Sequence, residues 1–574
     1  MAIAPGADPL ASEGPLPWLS AYGTVPPRLE YPGGALADVV LAAAALRPAA
    51  RALTYFGART SYRGLAEAIE RCAAALAALG LRAGDRITIA LPTCPQGVIA
   101  FYAANRLGAV AVMVHPLCPA PEIAEYIRAS RSRIALTLDL CYPKFAAELA
   151  AHRLDALVLT RIADPLGPLA RLAYRWTRGR RAPRVPAEPR LHWWRPLLAA
   201  LRPSVAPAAA GPDALAAIFF SGGTTGSPKG VMLSNRNLIA EGMQAAAWVA
   251  LGEGDRMLAA LPIFHGVGLG LCVNAVLLSG GTAILVPTFT ADSVAQAIRK
   301  WRPTLMVGVP TMYDALARGD ALAGADLRPL RAAFSGADAL PRPIKERFEE
   351  AVARQGGAVT LVEGYGLTEA VTAIMAMPLG EYRERSVGVP FPDMRAAIFR
   401  PGTAEELPAG AEGEICVAGP AVMLGYLDDP AATAEAIRRH PDGRLWLHTG
   451  DVGSRDRDGF FYFTVRRKRM IKSSGFNVYP GQVEEVLYRH PAVAEACVIG
   501  VPDAIQGERV VACVVPRAGS AGNAELEREL IAFCRERLIK WSCPRAVRFL
   551  PALPQTRLAK VDYRALAKDV GNGD

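Results

Sequence analysis

A run of glycine and hydroxyl residues directly after an apolar segment constrains this chain more than any other feature. Residues 215–220 are apolar and predict a buried strand. Residues 221–230 read Ser-Gly-Gly-Thr-Thr-Gly-Ser-Pro-Lys-Gly. Glycines let backbone N–H groups close around an anion, and the hydroxyls and Lys229 add donors and charge. The residues from Asn235 onward predict a helix, whose N-terminus also favours a phosphate. The stretch therefore predicts a strand, a phosphate-binding loop and a helix.

The plainer interpretation of this loop is an ordinary glycine-rich turn. A Walker-type loop is excluded, because it needs Gly-Lys followed by Ser or Thr. Here Lys229 lies between Pro228 and Gly230. The length of the pattern favours the phosphate loop over the turn.

Length and composition predict a globular protein of two or more domains. The chain has 574 residues, too many for one core, and is 51% hydrophobic and 21% charged. The net charge of +10 would suit an anionic partner such as a membrane surface, a nucleic acid or a nucleotide. Much of that charge is arginine in a chain rich in alanine, glycine and proline. We therefore give it little weight and expect no nucleic-acid partner.

Cysteine usage and hydropathy predict a cytoplasmic protein. The ten cysteines include no Cys-x-x-Cys pair and no Cys/His metal spacing, so we expect a reducing compartment and no structural zinc. Four of them lie in apolar runs and predict buried thiols: Cys72, Cys272, Cys416 and Cys497. Residues 1–17 lack a basic and then apolar signal-peptide pattern. Residues 257–291 carry no Asp, Glu, Lys or Arg, but prolines and glycines break them into a strand, a loop, a buried helix and a strand.

Alternating helix and strand patterns predict a sheet-centred α/β architecture. Helices are expected at 36–46, 65–79 and 292–301, and a strand at 87–91. Strands are also expected at 305–309, 330–333 and 359–363. The last two run into Ser-Gly-Ala at 335–337 and Gly-Tyr-Gly-Leu-Thr-Glu at 364–369. Ligands gather where parallel strands end, so these ends predict one site.

Residues 161–202 differ from their surroundings because they are rich in arginine, proline and tryptophan. Leu169, Leu172 and Trp176 fall at three- and four-residue steps, and Arg171 and Arg175 take another face. This spacing predicts a short basic amphipathic helix. A peripheral membrane contact is one interpretation, and a solvated surface insertion packed by its own aromatics is the other.

Five motifs in this order resemble the adenylate-forming enzymes, the superfamily of acyl-CoA synthetases, luciferases and peptide-synthetase adenylation domains. They are the loop 221–230, Gly-Tyr-Gly-Leu-Thr-Glu at 364–369, Trp-Leu-His-Thr-Gly-Asp at 446–451, Val-Arg-Arg-Lys-Arg at 465–469 and Pro-Gln-Thr-Arg-Leu-Ala-Lys at 554–560. Alone, Glu369 would be a helix-start acid, Asp451 a turn residue and Lys560 a solvated lysine. The resemblance implies a large multi-sheet α/β N-terminal domain, residues 1–467, and a small mobile α+β C-terminal domain, residues 468–574.

The resemblance also implies a role for each matching residue. The phosphates of ATP would be bound by residues of the loop: Ser221, Gly222, Gly223, Thr224, Thr225, Gly226 and Lys229. Adenine would lie against Gly336, Ala337, Gly364, Tyr365 and Gly366, and the ribose would contact Asp451 and Arg466. Thr368 would touch phosphate, and Glu369 with Thr224 would hold Mg²⁺, a cation that prefers oxygen ligands. Lys560 would drive adenylation, Lys468 would be the hinge, and the Gly475 loop would swing in for the second step.

Ser221-Gly222, in place of the usual Thr-Ser, is a mild departure at the start of the loop, and three positions depart from the later motifs. The hinge motif normally opens with Gly or Asp and closes with an acid, whereas this chain has Val465 and Arg469 there. Ala559 replaces the glycine before Lys560, which restricts a backbone that needs positive φ. None of the three removes a charged catalytic residue.

The branch resembled is that of fatty acyl-CoA synthetases. Residues 473–480, Ser-Ser-Gly-Phe-Asn-Val-Tyr-Pro, match its signature, and Phe-His-Gly at 264–266 matches its gate loop. His265 would then lie near the acyl-entry path, the alternative being a packed loop histidine. The hypothesis is a two-step ligase that uses ATP, Mg²⁺ and coenzyme A to convert a fatty acid through acyl-AMP to acyl-CoA.

Two other functions stay open, as do the acyl chain length and a homodimeric state. The first is an enzyme that loads a carrier protein or stops at acyl-AMP. The second is a non-catalytic relative that binds nucleotide or membrane.

Overall fold

The computed structural model describes residues 16–177, 182–200, 210–221, 229–466, 469–473, 476–503, 507–555 and 561–571. Strands in the first half of the chain are β1 Arg51–Tyr55, β2 Ala58–Ser61, β3 Arg86–Ala90, β4 Val110–Met113, β5 Ile134–Leu138, β6 Ala156–Thr160, β7 Leu191–Trp193, β8 Leu215–Ser221, β9 Lys229–Ser234, β10 Arg256–Ala259 and β11 Thr282–Leu285. Those that follow are β12 Leu305–Gly308, β13 Ala332–Ser335, β14 Leu361–Gly366, β15 Ala373–Ala376, β16 Ser386–Pro390, β17 Arg395–Phe399, β18 Glu412–Ala418, β19 Gly425–Tyr426, β20 Ile437–Arg439, β21 Leu445–Arg455, β22 Phe461–Arg466, β23 Ile471–Ser473, β24 Phe476–Val478, β25 Val493–Asp503, β26 Gly507–Pro516 and β27 Ala546–Phe549.

Helices connect these strands. They are α1 Leu36–Leu46, α2 Tyr62–Ala78, α3 Pro95–Arg106, α4 Ala120–Ser130, α5 Tyr142–Ala150, α6 Pro168–Trp176, α7 Trp194–Ala199, α8 Asn235–Trp248, α9 Ala275–Ser279, α10 Ala291–Trp301, α11 Pro310–Ala317, α12 Arg342–Arg354, α13 Pro430–Ala436, α14 Pro480–Tyr488, α15 Ala524–Arg535 and α16 Tyr563–Gly571. A π-helix, Val267–Asn274, leads directly into α9.

Two sheets form the large N-terminal part within the described residues. One follows the order β19-β9-β8-β4-β3-β5-β6-β7, and the other follows β17-β18-β21-β22-β16-β15-β14-β13-β12-β10-β11-β1-β2. Neighbours from β10 to β14 in the second sheet are parallel, as are β8, β4, β3, β5 and β6 in the first. The largest hydrophobic core contains residues of both sheets and of α1, α2, α3 and α8. This arrangement confirms the predicted multi-sheet α/β class.

A smaller C-terminal part has its own sheet and core. Its strands follow β24-β23-β26-β25, with β27 parallel to β26. Leu526, Leu530 and Phe533 recur at helical spacing, which predicts core positions; in α15 the first two are buried, and Phe533 is partly buried beside them. Residues 467 and 468, where the domain boundary is predicted, lie outside the described residues, so the boundary stays a prediction.

Predicted and observed element bounds differ where capping or pairing decides the end. Helix α1 matches the predicted 36–46. Helix α2 begins three residues before the predicted 65, because the side chain of Ser61 accepts a hydrogen bond from the Gly64 N–H and caps it. Strand β14 runs three residues past the predicted 363, because β15 pairs with it there. The sequence also predicts a helix over residues 524–539, but α15 ends at Arg535, so that predicted end was wrong.

The two expectations about hydrophobic segments have clear outcomes. All ten cysteines are buried and free, which confirms the four predicted buried thiols. The span 257–291 contains a strand, a loop, buried helix and a strand, as predicted. Among the described residues, no helix combines the length and apolar character needed to cross a membrane.

Candidate active site

Three neighbouring parallel strands end at one place and bring the predicted adenine-side residues together. The N–H of Gly336, just after β13, donates to the carbonyl oxygen of Gly308 at the end of β12, at 3.1 Å. A Cβ at Gly336 would lie 3.3 Å from the carbonyl oxygen of Gly364 in β14. Ala337 has φ of +71°, an unusual conformation for a residue with a side chain. Gly336, Ala337 and Gly364 therefore share one strand-end surface.

Tyr365 and Asp451 meet across 86 residues of sequence. The Tyr365 hydroxyl donates to Oδ2 of Asp451 at 2.9 Å, and both side chains are buried. The Tyr365 ring also lies 6.2 Å from the ring of Phe463, centre to centre. Asp451 in β21 faces Arg466 in β22 in the strand register. The structure thus brings the predicted adenine residue and the backbone positions of both predicted ribose residues side by side.

A buried acid that the sequence analysis missed supports this corner. Oε1 of Glu414 accepts the N–H of Gly450 at 2.9 Å, and Nδ1 of His448 lies 3.0 Å from Oε2. Burial raises the pKa of Glu414, but the hydrogen bonds from His448 and Gly450 outweigh it and hold that pKa below its ordinary value. Glu414 therefore holds the turn that presents Asp451.

The two ends of the predicted phosphate loop are fixed by a hairpin. Ser221 in β8 and Lys229 in β9 are register partners, and the Ser221 hydroxyl lies 3.4 Å from the Lys229 carbonyl oxygen. The helix predicted after the loop is α8, which Ser234 and Asn237 start with a reciprocal capping box. Five predicted phosphate ligands lie outside the described residues: Gly222, Gly223, Thr224, Thr225 and Gly226.

Tyr426 connects the phosphate-loop lysine with the predicted metal ligand, and the sequence analysis missed it. Its hydroxyl donates to Oε1 of Glu369 at 2.9 Å, and Nζ of Lys229 lies 4.7 Å from the centre of its ring. Strand β19 holds it in place, because Tyr426 pairs with Val231 of β9. Burial and the neighbouring Glu369 raise the pKa of the Tyr426 hydroxyl, so it stays a proton donor. The partly exposed Glu369 carboxylate fits an oxygen-preferring cation such as Mg²⁺.

The predicted gate loop packs against the segment that follows Glu369. A Cβ at Gly266 would lie 1.9 Å from the carbonyl oxygen of Val371, so only glycine fits this backbone contact. His265, the preceding residue, has its ring centre 5.0 Å from that of Phe264. The carbonyl oxygen of Thr368 accepts the N–H of Val371 at 3.1 Å. His265, Thr368 and Glu369 therefore belong to one neighbourhood.

Three further predicted residues cannot be placed. Lys560, Lys468 and Gly475 lie outside the described residues. Their predicted roles in adenylation, hinge motion and the second step stay predictions.

Comparison with known proteins agrees with this geometry. The fold and the clustered strand ends define the class of adenylate-forming enzymes. The chain belongs to the AMP-binding enzyme family, whose family model matches residues 40–427. The family model of the AMP-binding enzyme C-terminal domain matches residues 482–560.

Named relatives cover nearly the whole chain. The long-chain-fatty-acid–CoA ligase of Bacillus subtilis (strain 168) is 35% identical over 96% of this chain and 98% of that protein. A feruloyl-CoA synthase of Amycolatopsis sp is 34% identical over 90% of this chain and 95% of that protein. The crystal structure of ATP-bound MatB from Rhodopseudomonas palustris has a TM-score of 0.80 at 28% identity, covering 93% of this chain and 99% of that one. These relatives support an AMP-forming acyl-CoA ligase that uses ATP and CoA.

Proposed function

We propose that this protein joins a medium- or long-chain fatty acid to coenzyme A through an acyl-AMP intermediate. The observation that carries the proposal is the joint placement of Tyr365 with Asp451 and of Lys229 with Glu369. One pair suits a nucleoside, and the other suits a metal-bound phosphate chain. The B. subtilis relative named for long-chain fatty acids and the signature at 473–480 favour a fatty acid.

The proposed first step is attack of the acid's carboxylate oxygen on the α-phosphorus of ATP. A P–O bond forms, the bond to the β-phosphate oxygen breaks, and pyrophosphate leaves. Lys229 offsets phosphate charge, and Tyr365 and Asp451 hold the nucleoside, so positioning and electrostatics supply most of the catalysis. Bound at Glu369, Mg²⁺ would neutralise the charge of the phosphates. Lys560 offsets charge near the α-phosphate.

The proposed second step transfers the acyl group to the thiol of coenzyme A, with AMP as the leaving group. Residues 468–574 act here as the mobile domain, with Lys468 as its hinge and the Gly475 loop facing the thiol path. In this structure Tyr479 bonds to Glu412, and Arg385 pairs with Glu485. These partly exposed polar contacts between the two parts suit an interface that opens and closes.

We place a peripheral contact with an anionic lipid surface on α6. Leu169 is 84% exposed, Leu172 52% and Trp176 63%, and their spacing puts them on one face of the helix. Arg171 and Arg175 lie in the same helix, and the sequence continues Arg-Gly-Arg-Arg at 178–181. An exposed apolar face in an arginine-rich stretch of sequence complements an anionic membrane, which is also where a fatty acid partitions.

The test of the proposed reaction is AMP formation by the purified protein with MgATP across straight-chain acids from acetate to stearate, with and without CoA. We expect CoA-dependent AMP formation that is highest with medium or long chains. Pyrophosphate release that ignores CoA would replace this proposal with a carrier-loading or acyl-AMP enzyme. No turnover of any straight-chain acid would overturn the fatty-acid assignment.

A matched pair of variants ties that activity to the site. Glu369→Gln should lower the adenylation rate on the order of 10²–10³-fold, because it removes the charged metal ligand. Glu125→Gln changes an exposed acid of α4 in the same way and should leave the rate unchanged.

A further inference from the structure

A carboxyl group lies at the centre of the N-terminal part without an assigned role. Glu241, on α8, is fully buried. No side chain among the described residues completes a hydrogen bond to either carboxyl oxygen, and the backbone N–H of Ala373 is a donor within reach. Buried polar side chains are almost always hydrogen-bonded in native proteins, so the unused capacity of this carboxyl group calls for an explanation.

Two neighbouring segments, the π-helix and β15, contact this carboxyl group. A Cβ at Gly270, in the π-helix, would lie 2.6 Å from Oε2 of Glu241, so the absent side chain makes room for the acid. The backbone N–H of Ala373, the first residue of β15, lies within hydrogen-bonding reach of the acid. Cys272 lies close enough that burial, with a smaller effect of Glu241, raises the pKa of its thiol to about 12.

Both neighbouring segments belong to the candidate active site. The π-helix begins one residue after the gate loop at 264–266, and β15 begins four residues after Glu369. Gly266 and Val371 bring the two segments into backbone contact. Val371 has φ of +64°, a strained value for a β-branched residue. π-Helical segments and strained residues both concentrate at functional sites.

The π-helix also contains a buried amide side chain that can donate a hydrogen bond. Asn274 lies four residues after Gly270 in the same π-helix and is fully buried. Its Oδ1 accepts the Tyr102 hydroxyl at 2.6 Å, while its Nδ2 has no acceptor among the described residues. The π-helix therefore carries one polar side chain with unused hydrogen-bonding capacity, Asn274, and its Gly270 lies against a second, Glu241.

We infer that Glu241 determines substrate specificity: it lines the acyl pocket and hydrogen-bonds a hydroxyl group carried by the acid. This inference rests on the proposed acyl-CoA ligase function and narrows its substrate class to hydroxylated acids. A plain alkyl chain would leave the remaining hydrogen-bonding capacity of the carboxyl group unused, and sites built to bond a substrate hydroxyl discriminate strongly against analogues that lack it. Burial raises the pKa of Glu241 to about 8, so at neutral pH the group is mainly an uncharged donor and acceptor, which suits a hydroxyl.

The test compares matched acids that differ by one hydroxyl group. The pairs are dodecanoic acid against its terminally hydroxylated derivative, and 3-phenylpropanoic acid against its para-hydroxylated derivative. We expect kcat/KM to favour the hydroxylated member of one pair by about tenfold or more. The pair that shows it distinguishes a hydroxy fatty acid from a hydroxyaryl acid.

Variants of Glu241 test whether the carboxyl group causes the preference for the hydroxylated acid. Glu241→Leu should abolish or reverse the ratio, whereas Glu241→Gln, which keeps a donor and an acceptor, should retain most of it. Met243→Leu, a packing change on the same helix, should leave the ratio unchanged. Equal kcat/KM within both pairs for the wild type, or an unchanged ratio in Glu241→Leu, would overturn the inference.

Binding without turnover separates this inference from the proposed function. Each acid is added to the protein without ATP, and the shift in melting temperature is measured for wild type and Glu241→Leu. If no acid gives CoA-dependent turnover, the proposed function is overturned, but the inference about Glu241 is not. A melting shift that depends on the hydroxyl group and is lost in Glu241→Leu would still support the inferred role of Glu241. If the melting shift of the wild type does not depend on the hydroxyl group, the inference is overturned.

Discussion

Tyr426 shows how one side chain can serve two charged partners in the candidate site. Its hydroxyl bonds to the Glu369 carboxylate, and its ring face lies under the Lys229 ammonium group. The hydrogen bond orients the proposed metal ligand, and the cation–π contact is worth about 0.5–2 kcal/mol. The two contacts hold the Glu369 carboxylate and the Lys229 ammonium group in position before ATP binds.

Replacing Tyr426 by phenylalanine should lower kcat/KM for MgATP by about tenfold. The change keeps the ring beside Lys229 and removes only the hydroxyl, and a hydrogen bond to a charged group contributes about 1.5 kcal/mol or more. ATP–pyrophosphate exchange measures the effect. Tyr142→Phe, on α5, is the control and should have no effect. Wild-type exchange by Tyr426→Phe would show that Glu369 is oriented without it.

Glu241→Gln should change how stability depends on pH. The pKa of Glu241 rises from 4.5 to about 8 in the folded protein, so the folded state keeps a proton that the unfolded state releases. The free energy of unfolding therefore falls as pH rises between these two values, by up to about 1.4 kcal/mol per pH unit.

The variant lacks this titration, so its melting temperature relative to wild type should rise steadily from about pH 5 to about pH 8 and then level off. Melting curves across that range, read by circular dichroism, measure the difference. A difference that is constant with pH would mean that the carboxyl group titrates normally.

At the scale of elements, strand ends and helix starts build most of the site. The ends of β12, β13 and β14 meet because the strands are parallel neighbours, and the β8–β9 hairpin fixes both ends of the phosphate loop. Helix α6 stands apart from this construction, because its apolar residues face solvent rather than a core.

Helix α6 should support binding to anionic vesicles. The double variant Leu169→Asp with Leu172→Asp removes two exposed leucines and adds two negative charges, so its affinity for phosphatidylglycerol vesicles should fall at least about tenfold. Co-sedimentation measures binding, with phosphatidylcholine vesicles as the uncharged comparison. Leu46→Asp alters a leucine that is 77% exposed on α1 and should bind like wild type. Equal binding by the double variant and wild type would assign α6 to a solvated surface.

At the scale of the whole molecule, two parts with separate cores take part in the proposed reaction. The large part contains the proposed nucleotide-binding residues, and the C-terminal part contributes the predicted Lys560 and Gly475. Arg385 with Glu485 and Glu412 with Tyr479 join the two parts in this structure. Partly exposed pairs of this kind contribute little stability, about 0–1 kcal/mol each, which suits domains that rearrange between steps.

Lys560→Ala should separate the two half-reactions. Adenylation should slow on the order of 10²–10³-fold, because a charge-stabilising donor is lost, while thioester formation from supplied acyl-AMP and CoA should change little. Single-turnover assays of each half-reaction measure the two rates. Lys568→Ala, an exposed lysine of α16, is the control. Equal losses in both half-reactions would argue against the proposed domain rotation.

The sequence by itself determined the elements and the motifs. Hydrophobic periodicity and local backbone preference act over a few residues, so α1, the β8–α8 segment and the strand ends at Ser335 and Gly364 could be predicted. The long motifs also identified Tyr365, Glu369 and Asp451, because each motif is contiguous in the chain.

Only the tertiary structure decided which distant side chains meet. Tyr426 lies 57 residues from Glu369, and Glu414 lies 34 residues from His448, so sheet register and packing set these contacts. Glu241 appears in the sequence as one acid among helix residues. Its burial against Gly270 and Ala373 depends on how α8, the π-helix and β15 pack, and no local pattern encodes that packing.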